Sequence, residues 1–164
     1  MFIFLLNLIK SRSFNHFALQ CYNNCNVYLG MNQFEVKLYN SKTDSDDGFV
    51  LDLNYHSGLL GIDRAFLCNK YNKLDVCQLP KKNIFLIPID NVKNGFKIAT
   101  HDNKCLSYGK MSNELIASNQ LTFESCNKKN QIFIMIPYSE FLAKKEKIIA
   151  IKSNECSEIT SSST

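Results

Sequence analysis

A chain of 164 residues is the length of one domain and can bury roughly two-thirds of its unfolded surface. With 45% hydrophobic and 21% charged residues it has a globular composition, which excludes a disordered chain. A net charge of +4, carried in short scattered runs such as Lys81-Lys82 and Lys128-Lys129, argues against the dense basic face that nucleic acid requires. Twelve Phe, seven Tyr and no Trp favour strands. Six Gly and three Pro leave much of the turn-making to Asn, which tolerates left-handed geometry.

The chain opens on an apolar run, Phe2 to Ile9, interrupted only by Asn7 and followed by Lys10 and Arg12. It is too short for a bilayer, which needs about twenty residues, and no other stretch is a transmembrane candidate. The run suits the apolar core of a signal peptide over residues 1–13, cut before Phe14, with Ser11 and Ser13 as the small residues. The competing account of the same residues is a buried strand or a hydrophobic extension.

Beyond this leader, short apolar and aromatic runs alternate with polar turns. The strands expected are Phe17–Cys21, Val27–Met31, Phe34–Tyr39 and Phe49–Asn54, with a polar loop from Asn40 to Gly48. Leu59–Ile62, Phe66–Cys68, Leu74–Gln78 and Ile84–Ile89 follow, then Phe96–Thr100, Cys105–Tyr108, Leu121–Cys126 and Ile132–Ile136. Two internal matches align these as three copies. The first sets Phe17 to Tyr28, with Cys25, against Phe96 to Tyr108, with Cys105. The second sets Lys81-Lys82-Asn83 and the apolar run to Pro88 against Lys128-Lys129-Asn130 and the run to Pro137. Three four-stranded units that cannot bury their apolar sides alone predict an all-β fold, a β-trefoil over residues 14–138. Residues 139–164 form a C-terminal extension: a short helix or an added strand from Ser139 to Lys152, then a polar tail.

The last copy resembles one repeat of the ricin B-type (R-type) lectins, which carry a Cys-Leu early and a Cys…Gln-x-Trp late. Here these places hold Cys105-Leu106, Cys126 and Gln131-Ile132-Phe133, preceded by Asn130. The resemblance implies a β-trefoil, an oxidising compartment and a carbohydrate ligand. It also implies a disulfide between the second and third strands of a copy, hence Cys105–Cys126 and, at matching places in the second copy, Cys68–Cys77. Cys21 and Cys25 have no late-strand partners, so they pair with each other or leave one thiol reduced. Cys156 is the odd cysteine in the tail. Reduced, buried cysteines in a cytosolic protein are the alternative.

No catalytic constellation is present: no Gly-rich phosphate loop, no Gly-x-Ser-x-Gly and no His-Glu-x-x-His. Asp44, Asp46 and Asp47 lack the downstream glutamate of a calcium loop. His16, His56 and His101 are isolated, and Cys21-x-x-x-Cys25 is the one tight cysteine pair, which argues against zinc. No cofactor is implied. In R-type lectins a pocket on each competent repeat uses an Asp after the early cysteine, an aromatic before the late one and an Asn before Gln-x-Trp. These places fall on Ser107, Glu124 and Asn130 in the third copy, with Asp102 a polar neighbour and Phe123 or Tyr108 as replacement aromatics. In the second copy they fall on Lys70, Asp75 and Asn83, and in the first the carboxylate place holds Val27.

The expectation is thus a secreted, non-enzymatic lectin-like module, an adhesin or extracellular coat component. It binds a glycan or glycoprotein through Asp102, Ser107, Glu124 and Asn130, with no nucleic-acid partner and no stable membrane insertion. The alternative is a protein-binding trefoil of the inhibitor or growth-factor kind, engaging its partner through the Asn40–Gly48 and Ser112–Asn119 loops.

Overall fold

The computed structural model describes residues 16–32, 35–41, 49–56, 58–109 and 121–150. The apolar leader, Asp44 to Asp47, the Ser112–Asn119 loop and Cys156 lie outside the described residues, as does most of the Asn40–Gly48 loop.

Thirteen strands and one helix follow in order among these residues: β1 (Phe17–Cys21), β2 (Asn24–Asn32), β3 (Glu35–Asn40), β4 (Phe49–Val50), β5 (Leu53–His56), β6 (Leu59–Ile62), β7 (Ala65–Lys70), β8 (Lys73–Cys77), β9 (Phe85–Pro88), β10 (Gly95–Ala99), β11 (Lys104–Ser107), β12 (Thr122–Ser125), β13 (Phe133–Pro137) and helix α1 (Tyr138–Ala150). A single 3-10 turn, Lys129–Gln131, leads into β13. Asparagine supplies much of the left-handed backbone, at Asn72, Asn94 and Asn103, as the shortage of glycine requires.

The strands lie close to their expected places, but they do not assemble as expected. Antiparallel pairing runs β13-β10-β11-β12-β8-β7-β6-β5-β1, and β1 returns to β13, closing a ring of nine strands. β2 adds to β1 and carries β3 and β4, while β9 adds to β10 outside the ring. The β-trefoil of three four-stranded repeats is therefore corrected to a nearly all-β, closed nine-stranded antiparallel barrel with extra strands. The three expected copies contribute unequally. The first sends only β1 and β5 into the ring, the second sends β6, β7 and β8, and the third sends β10 to β13. Alternation and turn chemistry dictate where a strand lies, but they do not dictate which edge it pairs with. The expected strand Phe49–Asn54 also divides. β4 pairs with β2, whereas β5 pairs with β1 and β6, so Leu51 and Asp52 mark a crossing between two partners.

The closing pair explains the most apolar part of the chain. Five register pairs join β1 to β13, from Phe17↔Pro137 to Cys21↔Phe133. Side chains alternate across a strand, and here both sides are covered. Phe17, Leu19 and Cys21, with Phe133 and Met135, enter the main core beside Leu29, Leu53, Leu67, Leu86, Ile98 and Leu106. Ala18, Ile134 and Ile136 face a second cluster with Tyr28, Tyr39, Val50 and Phe141. Helix α1 completes that cluster. Phe141 is buried and meets the Tyr28 ring edge-on at 4.9 Å between centroids, which settles the open choice for this segment as helix. Gln20, also buried, donates from Nε2 to Cys25 O (2.5 Å) and to Tyr28 Oη (3.0 Å). Burial pushes the Tyr28 hydroxyl up to about 12, so it stays a neutral hydrogen-bonding partner at physiological pH.

Truncating Phe133 to Ala, at full burial in the closing strand, is expected to cost about 3–5 kcal/mol. Leu142→Ala, on the exposed side of α1, should change stability by no more than about 0.5 kcal/mol. Urea unfolding midpoints of the two variants test this difference.

Candidate functional site

The two disulfides implied by the resemblance are present: Cys68–Cys77 joins β7 to the end of β8, and Cys105–Cys126 joins β11 to the segment after β12. By chain entropy, loops of 9 and 21 residues give about 3 kcal/mol each. Disulfides are consistent with an oxidising, extracellular environment. Cys25 is also disulfide-bonded, whereas Cys21 is a free thiol at full burial, so the two do not pair with each other. Burial pushes the Cys21 thiol far above its ordinary range, which leaves it an inert core residue.

The expected ligand residues divide into a buried framework and an exposed rim. The framework centres on Gln131, fully buried in the turn before β13. Its Nε2 donates to Ser125 O at 2.8 Å and Ser107 Oγ at 2.9 Å, and its Oε1 accepts from Lys128 N at 2.9 Å. One side chain thus ties β11, β12 and the turn together and leaves no unmet polar group of its own. Asn130, beside it, donates from Nδ2 to Tyr108 O at 2.5 Å, and Tyr108 N returns a bond to Asn130 O at 3.0 Å. Asn83 behaves alike: its Oδ1 accepts from Asn69 N at 3.0 Å and its Nδ2 donates to Asn69 O at 2.7 Å. Both asparagines are straps across the strand that follows an early cysteine, a role that their shared position before the apolar run allowed but did not reveal.

Ser107 is buried and links the framework to the surface. It accepts from Gln131, and its hydroxyl adds a small part to the lowering of the Glu124 pKa. Glu124 also forms an ion pair with Lys128 four residues on and accepts from Thr122 Oγ1 at 3.3 Å. Lys128 is the chief reason that this carboxyl is held below its ordinary range, with Thr122 and Ser107 adding to it. Asp102, in the β10–β11 turn, accepts from Thr100 Oγ1 at 2.5 Å and pairs with Lys104 Nζ at 3.0 Å. Those two partners, the Thr100 hydroxyl first, lower its pKa in the same way.

The structure therefore brings Ser107, Glu124 and the Asn130–Gln131 turn together, and sets Asp102 at the neighbouring turn. Two ionised carboxylates stand on this rim with their charge fixed by donors, an arrangement suited to accepting hydrogen bonds from hydroxyls. The replacement aromatics do not serve it. Tyr108 and Phe123 are both buried, Tyr108 against Phe133 at 5.2 Å between centroids. The second-copy counterparts Lys70 and Asp75 pair with each other at 3.5 Å, and Val27 is buried in the core.

The most exposed aromatic among the described residues is not among the expected ones. Tyr71, at the tip of the β7–β8 hairpin, is 90% exposed. Its signal in the sequence was a Tyr-Asn pair standing alone between two strands. The tip is anchored to the rim: Asn72 O accepts from Phe123 N at 2.9 Å, and Asn72 Oδ1 accepts from Lys104 Nζ at 3.1 Å. Thr122 on β12 lies in register with Lys73, so the hairpin adjoins the strand that carries Glu124.

Among the described residues, no three His, Cys, Asp or Glu side chains are grouped to hold a metal ion, and no helix is long and apolar enough to cross a membrane. In comparison with known proteins, the chain matches no family model and no curated protein.

Gln131→Met keeps the length and drops the amide, leaving Ser107, Ser125 O and Lys128 N short of a partner. The expected loss is about 2–3 kcal/mol in urea unfolding; a loss under about 0.5 kcal/mol would remove Gln131 from the framework. The rim carboxylates predict an acid limb. Their folded pKa values are depressed, so the stability they contribute is present above the unfolded values near 4 and lost as pH falls through the folded ones. The advantage of wild type over the Asp102→Asn, Glu124→Gln double variant is expected at pH 7 and should be lost as acid protonates the two carboxylates, in urea midpoints taken from pH 7 down through the carboxylate range.

Proposed function

We propose that this chain is a secreted, non-enzymatic carbohydrate-binding module whose ligand face is the rim formed by Asp102, Glu124 and the hairpin tip beside them. The observation that carries this reading is the placement of Glu124: a surface carboxylate held in place by Lys128 and Thr122 Oγ1, with Asp102 similarly held by Thr100 Oγ1 and Lys104 at the neighbouring turn. Ionised carboxylates accept hydrogen bonds only, and ones pre-positioned by their own donors lose little side-chain freedom on meeting a ligand hydroxyl. The local likeness of residues 96–137 to an R-type lectin repeat supports the same reading, as do the disulfides for secretion. Ser107 and Asn130 act on the ligand through the frame: Ser107 accepts from Gln131 on the strand paired with that of Glu124, and Asn130 clamps the end of that strand at Tyr108.

The test is a broad glycan array with the full chain refolded under oxidising conditions, run beside Glu124→Gln. This variant keeps the size of the side chain and most of its hydrogen bonds while removing the charge. Binding to a defined saccharide, weakened about tenfold or more in the variant, is the expected result. Silence from a sample with both disulfides formed and a cooperative unfolding transition would overturn the reading in favour of a protein partner.

A further inference from the structure

The tip of the β7–β8 hairpin breaks several local rules at once, and the fold offsets only part of them, pairing Lys70 with Asp75 and anchoring Asn72. Tyr71 and Asn72 both have left-handed backbone, with φ of 54° and 59°. A two-residue turn of that kind favours Asn or Asp followed by Gly. A bulky residue at positive φ is a genuine outlier, and here it is a tyrosine whose ring is 90% exposed, so burial returns nothing for the strain. Lys70 and Lys73 stand directly opposite each other as the pair that closes the turn. Like charges facing across a ladder are destabilising. Local conflicts without a structural return concentrate at functional sites, and the inference runs from the outlier to the function.

We propose that this tip is the recognition site for an anionic saccharide, one bearing a carboxylate or sulfate. The inference rests on the carbohydrate reading above and names the ligand class. Tyr71 presents a rigid aromatic face against which the C–H side of a pyranose stacks. Beside the carboxylates of Asp75 and Asp102 stand three lysines, and two of these ammonium groups keep donors to spare. Lys73 has no carboxylate partner among the described residues, whereas Lys70 is matched by Asp75 at 3.5 Å. Lys104 spends two of its three N–H donors, on Asp102 at 3.0 Å and Asn72 at 3.1 Å, and keeps one. A neutral sugar alone gives these ammonium groups no charge to meet. A carboxylate or sulfate on the sugar does, and its arrival relieves the Lys70–Lys73 repulsion that the free protein carries. The tip is held for this purpose by Phe123 N and Lys104 Nζ bonding to Asn72, so it does not have to be ordered on binding. The remaining hydroxyls of the same ligand lie toward Thr122 and Glu124, since Thr122 is in register with Lys73 and bonds to Glu124.

Calorimetric titration of the full oxidised chain with matched pairs tests the inference: 3′-sialyllactose against lactose, and a heparin-derived tetrasaccharide against its desulfated form, with a short DNA duplex as a polyanion control. One of the acidic members is expected to bind about tenfold or more tighter than its neutral partner. Tyr71→Gly and Lys73→Glu should each lose about tenfold of that affinity. Tyr71→Gly should also raise the Tm, because glycine adopts positive φ without strain, which separates a binding role from a structural one. Equal affinity for acidic and neutral members, acidic binding untouched by both variants, DNA bound as tightly as the saccharide, or a lowered Tm for Tyr71→Gly would each overturn the inference while leaving the carbohydrate reading standing. Failure to bind any saccharide on the array or in these titrations would overturn both.

Discussion

The pairing of β1 with β13 is the contact on which the architecture rests. It joins the first and last strands of the described chain, and without it the nine strands from β13 round to β1 form an open sheet with two exposed edges. Closure also decides where the apolar residues go. Because β1 and β13 are covered on both faces, alternate side chains of the same strand serve two separate clusters, one inside the ring and one under α1. A polar residue placed here needs an internal partner, and Gln20 has one in Tyr28. Closing contacts so distant in sequence carry a high loop-closure cost, which the extended burial along both strands offsets.

Polar structure is handled in the same economical way near the surface. Gln131 satisfies β11, β12 and its own turn from one amide, and the Cys105–Cys126 bridge ties the same two strands covalently. The result is a stiff support that carries Glu124 at the surface, opposite Cys105 in the β11–β12 register. Rigid support and an exposed charge are separate requirements, and this segment assigns them to different residues. The buried ones bear the geometry. The exposed ones, Asp102, Glu124 and the lysines beside them, carry the charge. Tyr71 belongs with the exposed group although it arrives from a different hairpin, anchored through Asn72.

Much of the local structure was legible in the residues. Apolar alternation placed most of the strands within a residue or two, and the cysteine positions read through a family resemblance gave Cys68–Cys77 and Cys105–Cys126. The candidate site was legible only in part. Glu124 and Asp102 stand on the surface, whereas Ser107 is buried and Asn130 spends its amide on Tyr108. A serine on a strand looks the same in sequence whether its hydroxyl faces a ligand or a glutamine. Tyr71 passed unremarked because an aromatic next to a turn is ordinarily read as core.

What the sequence determined by itself was the set of short strands, their inward and outward alternation and the asparagine-based turns, because these follow from chain geometry and side-chain size within a few residues. What only the tertiary structure decided was which edges meet. Repetition at three places suggested equal units, yet the copies enter the ring with two, three and four strands. Pairing partners are chosen by the total surface buried when all strands close together, a quantity that no local window contains. The same holds for the site. The distance from Lys104 to Asn72, 32 residues apart, exists only after β12 has docked between β11 and β8.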